Sequence, residues 1–178
     1  MQKILVPVDG SAISHKALAV ACDLARAHGS RVLLLHSLLR DKEPQELHRL
    51  ADLDGAPAAL HAALGALEHA PARELSEEER LRDHNALERP VPEELLREIG
   101  TCILHAAGEE AARVGVEAEP LALHEGPAAD GILSCATGEA VEAIVMGRRG
   151  LRNVEAIAFG SVSQAVGDKA PCTCITVM

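Results

Sequence analysis

Residues 3–38 read KILVPVDGSAISHKALAVACDLARAHGSRVLLLHSL, and their order decides the fold. Residues 3–8 form a short apolar run with β-branched members that stops at Asp9-Gly10-Ser11, a turn sequence. Beyond it Ala17, Leu18, Ala21, Leu24 and Ala25 recur at helical spacing, and Gly29 supplies a stop. Residues 31–38 form a second apolar run, continuous rather than alternating, as in a strand covered on both faces. Strand, helix, strand in that order is the signature of a parallel α/β sheet.

The same alternation resumes further on. Residues 93–113 predict a long helix with the apolar stripe Leu96, Ile99, Ile103 and Ala106. A strand is expected at 116–123, a short helix at 127–137, a strand at 143–146, a helix at 161–168 and a terminal strand at 172–177. This order predicts an α/β fold: a doubly wound, mostly parallel five-stranded sheet with helices on both faces, Rossmann-like. The intervening stretch has a different texture. Residues 40–98 hold roughly fifteen acidic and eight basic side chains, so most of the negative balance sits there. Leu60, Leu64 and Leu67 fall on one helical stripe, Ser76 and Glu79 have capping-box spacing, and Pro44, Pro57, Pro71, Pro90 and Pro92 punctuate the segment. The expectation is one domain over residues 1–178, with a helical acidic insertion at about 40–92 lying outside the sheet.

At 178 residues and 18.7 kDa the chain has room for one compact domain. Its charge, 17 − 27 = −10, argues against a general affinity for nucleic-acid phosphates or anionic membranes. Phe159 is the sole residue among Phe, Tyr and Trp, so no aromatic platform exists for stacking single-stranded bases. The core must be built from Leu, Val, Ile and Ala. The five cysteines are odd in number and sparse, no window approaches the ~20 apolar residues that span a bilayer, and the N-terminus lacks the pattern of a signal peptide. A cytoplasmic protein is expected.

Chemistry concentrates in residues 146–163, MGRRGLRNVEAIAFGSVS. Gly147 and Gly150 are separated by two residues, and nine more lead to Gly160-Ser161, where a helix should start. Glycines after a strand let the backbone turn sharply and let amides approach a ligand with no Cβ in the way. The start of the following helix offers unpaired N–H groups and the positive end of its dipole, a setting suited to phosphate. Ser161 and Ser163 add hydroxyls. In an open α/β sheet such a loop lies at the carboxyl ends of the strands, where ligands bind.

VPVDGSAIS near the start, LLLH in the second strand, IVMGRRG, the nine-residue spacer, GSVSQAV and APCTCITV together resemble the universal stress protein family. The resemblance covers residues 1–38 and about 93–178, and its G-x2-G-x9-G-[ST] motif is the one that marks the ATP-binding branch. It implies an ATP-binding stress protein acting as a nucleotide-dependent switch or sensor, with Mg²⁺ or Mn²⁺ on the phosphates. Pro7, Val8 and Asp9 would line the adenine and ribose side, with Asp9 accepting a ribose hydroxyl. Met146 and Gly147 would border the nucleoside, and Arg149, Gly150, Gly160, Ser161, Val162 and Ser163 would surround the phosphates. Ser37 stands where the family more often has an apolar residue against adenine, and Thr173 where it commonly has proline. The acidic insertion is longer than the family's usual connection. The family typically dimerises through its last strand, and residues 172–177 are apolar enough to make an exposed edge a liability, so a homodimer is expected.

Plainer roles compete at several positions. The three motif glycines could serve as turn residues. Asp9 could cap the first helix together with Ser11, which is compatible with ligand contact. Arg148 and Arg149 could be solvated charges or phosphate partners, whereas Arg152 reads as surface. His61 and His69 lie ~12 Å apart along a helix, too far to share an ion, and His48 and His84 lack paired spacing. His36 reads as a satisfied core or pocket-edge histidine, Cys172 and Cys174 as packing residues, and Glu77, Glu78 and Glu79 as a solvated helix start. No G-x4-G-K-[ST] is present and no base is placed to activate water, so a bound triphosphate should turn over slowly or not at all. Two other functions stay open: an interaction scaffold whose insertion recruits a protein partner, and a slow ATPase.

Overall fold

A computed structural model describes residues 1–40, 42, 46–47, 50, 58–67, 91–150 and 160–178. Five strands form one parallel sheet: β1 (Lys3–Pro7), β2 (Arg31–Leu35), β3 (Ala118–Pro120), β4 (Ala143–Gly147) and β5 (Thr173–Val177), in the spatial order β3-β2-β1-β4-β5. Ile4, Leu5 and Val6 are fully buried, because β1 sits mid-sheet between two cores. On one face α1 (Ala12–His28) and the long helix at Glu93–Arg113 enclose Ile4, Val6, Leu18, Leu34 and Ile99. On the other, the helices at Ala128–Gly138 and Ser161–Lys169 enclose Leu5, Leu33, Ile132, Ile144 and Val166. The doubly wound sheet expected from the alternation is the fold observed.

Local chemistry sets the helix ends. The Ser11 hydroxyl accepts from the Ser14 N–H at 3.2 Å and caps α1, relieving one of the donors a helix start leaves unpaired. Gly29 ends α1 at φ 66°, and the Ser30 N–H returns to the Ala25 carbonyl at 3.0 Å, a left-handed stop that favours glycine. The expected 116–123 strand is shorter. β3 lies at the sheet edge and contains Pro120, which cannot donate to a ladder and is tolerated there.

The segment after β2 is no loose appendage. Its described helix α2 (Ala58–Leu67) packs on α3 (Glu93–Arg113), and Leu47, Leu50 and Leu64 join the α1/α3 core. Leu64 is buried as its stripe predicts; the side chains of Leu60 and Leu67, and the whole of Ser76 to Glu79, lie outside the described residues. On α3 the stripe runs through Ala107 and Ala111 rather than Ala106, which is half-buried. No helix among the described residues is long and apolar enough to cross a membrane. The remaining helices are α4 (Ala128–Gly138) and α5 (Ser161–Lys169).

Because Leu64 sits in the core, Leu64→Ala should cost about 2–5 kcal/mol by lost transfer energy plus cavity. In urea titrations the midpoint should fall with the slope unchanged. A midpoint equal to the wild type would show that α2 does not pack on α3.

Candidate functional site

From β1 the chain winds outward through β2 to β3, then crosses back to β4 and β5 on the other side of β1. The connections after β1 and β4 lead to helices on opposite faces, which makes the space between them at the carboxyl ends of the strands the switch-point crevice where open sheets of this kind bind ligands. Residues 7–11 form one lip. The loop after Met146 and the start of α5 form the other.

On the first lip, Asp9 Oδ1 accepts from both the Ser11 amide (3.0 Å) and the Ser11 hydroxyl (2.6 Å). Asp9 therefore holds the residue that caps α1, and its plainer role is real. Its other oxygen is turned across the crevice: a Cβ built on Gly150 would lie 2.6 Å from Asp9 Oδ2. Gly160 and Gly147 are packed as tightly, with an added Cβ 2.8 Å from the Arg148 carbonyl oxygen and 2.8 Å from Ile13 Cγ2, respectively. None of the three has positive φ, which among the described glycines belongs to Gly10, Gly29 and Gly115. The motif needs glycine for close approach, not for torsion.

The second lip closes on one carbonyl. The Arg148 C=O accepts from the Gly160 N–H (3.0 Å) and from Ser163 Oγ (2.8 Å), while the Arg148 N–H is held by the Val177 carbonyl at 2.8 Å. Both ends of the nine-residue spacer are thereby pinned; the spacer itself, with Arg152 and Phe159, lies outside the described residues. The first rung of α5 runs from the Gln164 N–H to the Gly160 carbonyl at 3.1 Å. The amides of Ser161, Val162 and Ser163 stand before that ladder, at the positive end of the helix. Ser161 is exposed.

The expected site residues are thus sorted by geometry. The Ser163 hydroxyl and the Gly160 amide are spent inside the loop, so they shape it rather than point outward. The Val8 side chain packs in the α1/α3 core and Met146 in the α4/α5 core, so what they present to the crevice is main chain. Arg148 turns toward the C-terminus, with Nη1 2.9 Å from Met178 Sδ. Arg149, half-exposed, has no hydrogen bond or ion pair to another described residue. Cys172 and Cys174 pack against the α4/α5 core, and burial raises both thiols above their ordinary range, as suits packing residues. His61 is exposed, His48, His69, His84 and Glu77 to Glu79 lie outside the described residues, and no three His, Cys, Asp or Glu among the described residues gather as a metal site.

The main departure is at the end of β2. Pro7 faces Leu35, and the Val8 N–H reaches the Leu35 carbonyl at 2.9 Å. A parallel ladder would continue with the Ser37 N–H on the Val8 carbonyl. Instead His36 Nδ1 lies 2.8 Å from that carbonyl, and β2 ends three residues before the 31–38 expected. On the β3 side the His36 carbonyl and Leu38 amide bond to His124, at 2.9 Å each. The Ser37 N–H and C=O accordingly turn away from β3, toward the β1 side, with no hydrogen-bond partner among the described residues. Nor is His36 fully satisfied, since its buried Nε2 has no partner among the described residues. Sequence reasoning set Ser37 against adenine and read His36 as a satisfied core or pocket-edge histidine, but it missed the exchange of donors at Val8. A histidine ending an apolar run, with Gly100 inside the facing helix, was the available signal.

The profile of the Universal stress protein family matches residues 1–177. The chain belongs to that family. A relative from Thermus aquaticus, "Universal stress protein in QAH/OAS sulfhydrylase 3'region", is 33% identical over 174 residues, covering 98% of this chain and 96% of its own. Among solved structures, the universal stress protein from Archaeoglobus fulgidus in complex with dAMP superposes with a TM-score of 0.57 at 20% identity, covering 100% of this chain and 98% of that one. A universal stress protein in complex with cAMP gives 0.56 at 17%, covering 99% and 96%. A family member from Arabidopsis thaliana with AMP bound gives 0.55 at 16%, covering 99% and 91%. At these identities the three establish the shared fold.

Burial holds His36 below its ordinary value of 6.5, outweighing the Val8 carbonyl and the Asp9 charge, which act the other way. Well above pH 6.5 the ring is neutral in folded and unfolded chains alike. Below it the unfolded chain takes up a proton that the folded chain resists, so stability falls with pH. Thermal melts between about pH 7 and 5 should show a steeper loss in wild type than in His36→Asn. Parallel curves would refute this assignment.

Proposed function

We propose that the crevice binds an adenine nucleotide, ATP in the first instance, and that the protein works in the cytoplasm as a nucleotide-dependent switch or sensor of the stress response. The observation that carries this reading is the set of unpaired main-chain groups at opposite ends of one crevice. At one end the amides of Ser161, Val162 and Ser163 stand at a helix start, with Arg149 and Gly150 beside them; together they suit a polyphosphate. At the other end Ser37 offers one N–H donor and one C=O acceptor side by side. That pattern fits the adenine edge, where N1 accepts and the 6-amino group donates. Between them Asp9 Oδ2 is an acceptor of the kind a ribose hydroxyl uses, flanked by the main chain of Pro7, Val8, Met146 and Gly147. Relatives of the same fold crystallised with dAMP, cAMP and AMP support the choice of base.

With no cluster of metal-binding side chains among the described residues, a Mg²⁺ or Mn²⁺ ion would arrive on the phosphates, held mainly by their oxygens and by water. The ion would neutralise phosphate charge in a chain that is itself acidic. The described lips hold no lysine of the P-loop kind, so a bound triphosphate should turn over slowly or not at all.

Equilibrium titration of the purified protein should show saturable ATP binding. Gly160→Val, which drives a side chain onto the Arg148 carbonyl, should weaken it by at least about tenfold, or ~1.4 kcal/mol. Absence of saturable binding in the wild type would sink this reading, and mass spectrometry of small molecules released from fresh protein gives an unbiased check.

A homodimer through β5 accompanies the proposal. The Thr173 N–H and the Val177 C=O are turned to the β4 side, bonding Glu142 and Arg148. The alternation of a strand then turns the main-chain N–H and C=O of Cys174 and Thr176 outward, along an edge that a second copy could pair with. Thr176→Pro removes one outward donor without touching the β4 ladder. It should shift the species seen by sedimentation from dimer to monomer, with ATP binding kept; a wild-type monomer at all concentrations would refute the dimer.

A further inference from the structure

We propose that His36 is a positioning residue that sets base specificity: its imidazole takes the hydrogen bond the Ser37 amide would otherwise give to the Val8 carbonyl, leaving the Ser37 N–H and C=O free to read a nucleobase. The register makes the substitution visible. With Pro7 opposite Leu35 and the Val8 N–H on the Leu35 carbonyl, the next acceptor of the ladder is the Val8 C=O and its regular donor is the Ser37 N–H. A buried carbonyl at a strand end takes whichever donor is in place. Here that donor is His36 Nδ1 at 2.8 Å, which fixes the neutral tautomer with its proton on Nδ1.

Three features hold the ring in that position. It is 1% exposed, so it does not swing to solvent. Its Cδ2–Nε2 edge lies against Gly100 of α3, where an added Cβ would come 2.7 Å from Cδ2 and 3.1 Å from Nε2. The Leu123 side chain adjoins the same spot, with Cδ2 2.9 Å from that Cβ position. A glycine in the middle of a 21-residue helix costs about 1 kcal/mol relative to alanine, and the room it gives the imidazole is a physical reason for its presence. The Nε2 atom, buried with no partner among the described residues, adds no stabilising bond, so the contact of consequence is the one from Nδ1.

This inference rests on the reading of the crevice as an adenine-nucleotide site, but part of its test needs no ligand. In the wild type the Ser37 amide should exchange with deuterium rapidly, having no acceptor. In His36→Ala the Val8 carbonyl is free to take the Ser37 N–H, and that amide should become protected by at least about tenfold. Gly100→Ala, a change that favours the helix, should push the ring off Val8 and act in the same direction. The second part compares ATP with GTP, whose base presents the opposite donor and acceptor at the corresponding positions. Wild type should prefer ATP by at least about tenfold, and His36→Ala should lose most of that preference. His36→Asn, whose side-chain amide can donate to Val8, should restore it. A Ser37 amide already protected in the wild type, or unchanged in His36→Ala, overturns the inference. So does equal weakening of ATP and GTP in His36→Ala, or failure of His36→Asn to rescue in a folded protein. If the exchange results hold and neither nucleotide binds, the nucleotide reading fails and the role of His36 in base specificity fails with it, while the swap of donors at Val8 stands.

Discussion

The crevice depends on β1 running between two neighbours whose connections leave the sheet toward opposite faces. Ile4, Leu5 and Val6 are fully buried because helices lie over both sides of this strand, and a strand so enclosed has no latitude in register. That rigidity carries to the end of β1, where Pro7 is still paired with Leu35 and Val8 is held through both its N–H and its C=O. Asp9 is the first residue free of the sheet. Its position is fixed from the other direction by Ser11, which receives the aspartate and caps α1 at once. A carboxylate held by a strand end and a helix start is preorganised, and little conformational freedom remains to be lost when a ligand arrives.

Across the crevice the same economy of main chain is at work. One carbonyl, that of Arg148, gathers the Gly160 amide and the Ser163 hydroxyl. It thereby brings the start of α5 back to the end of β4, however the nine residues between them run. The cost is that two groups with the chemistry to bind phosphate are used internally. The gain is that the next amides, at Ser161, Val162 and Ser163, stand in one place at the head of a helix dipole. On the proposed reading, contact with an anion would fall to main chain and to Arg149, an arrangement that asks for small residues at 147, 150 and 160 and little else.

This division explains what could be read in the sequence. The parallel order was legible because buried strands and amphipathic helices differ in period; 93–113 emerged from its apolar stripe and the start at Ser161 from the glycine spacing before it. The motif glycines were legible as a set, yet their reason was not, since close approach of Gly150 to Asp9 is a contact between residues far apart in the chain. Val8 and Met146 were read by position as lining residues, and only packing shows their side chains turned into the two cores. The end of β2 was the least legible feature. The apolar run breaks at His36-Ser37, a visible signal, but nothing in a one-dimensional pattern says that an imidazole replaces an amide as the donor to Val8.

The long connection after β2 bears on the same point. Composition alone describes it as an acidic attachment, separable from the fold, and a partner could be imagined to dock on it independently. The packing contradicts separability. Arg40 at its start pairs with Glu93 just past its end, at 2.9 Å, and Leu47, Leu50 and Leu64 fill the α1/α3 core. Gly10, at φ 78°, lies under Leu50 so closely that a Cβ would come within 2.8 Å of its Cδ2. The turn that presents Asp9 is therefore roofed by this segment, and removing residues 45–88 would strip three buried leucines from the core rather than detach a module. A partner that bound the segment and shifted Leu50 would act on the Gly10 turn, next to the carboxylate that faces Gly150. Through Leu47, Leu50 and Leu64 the described part of the connection shares a core with the strand and turn that carry Asp9.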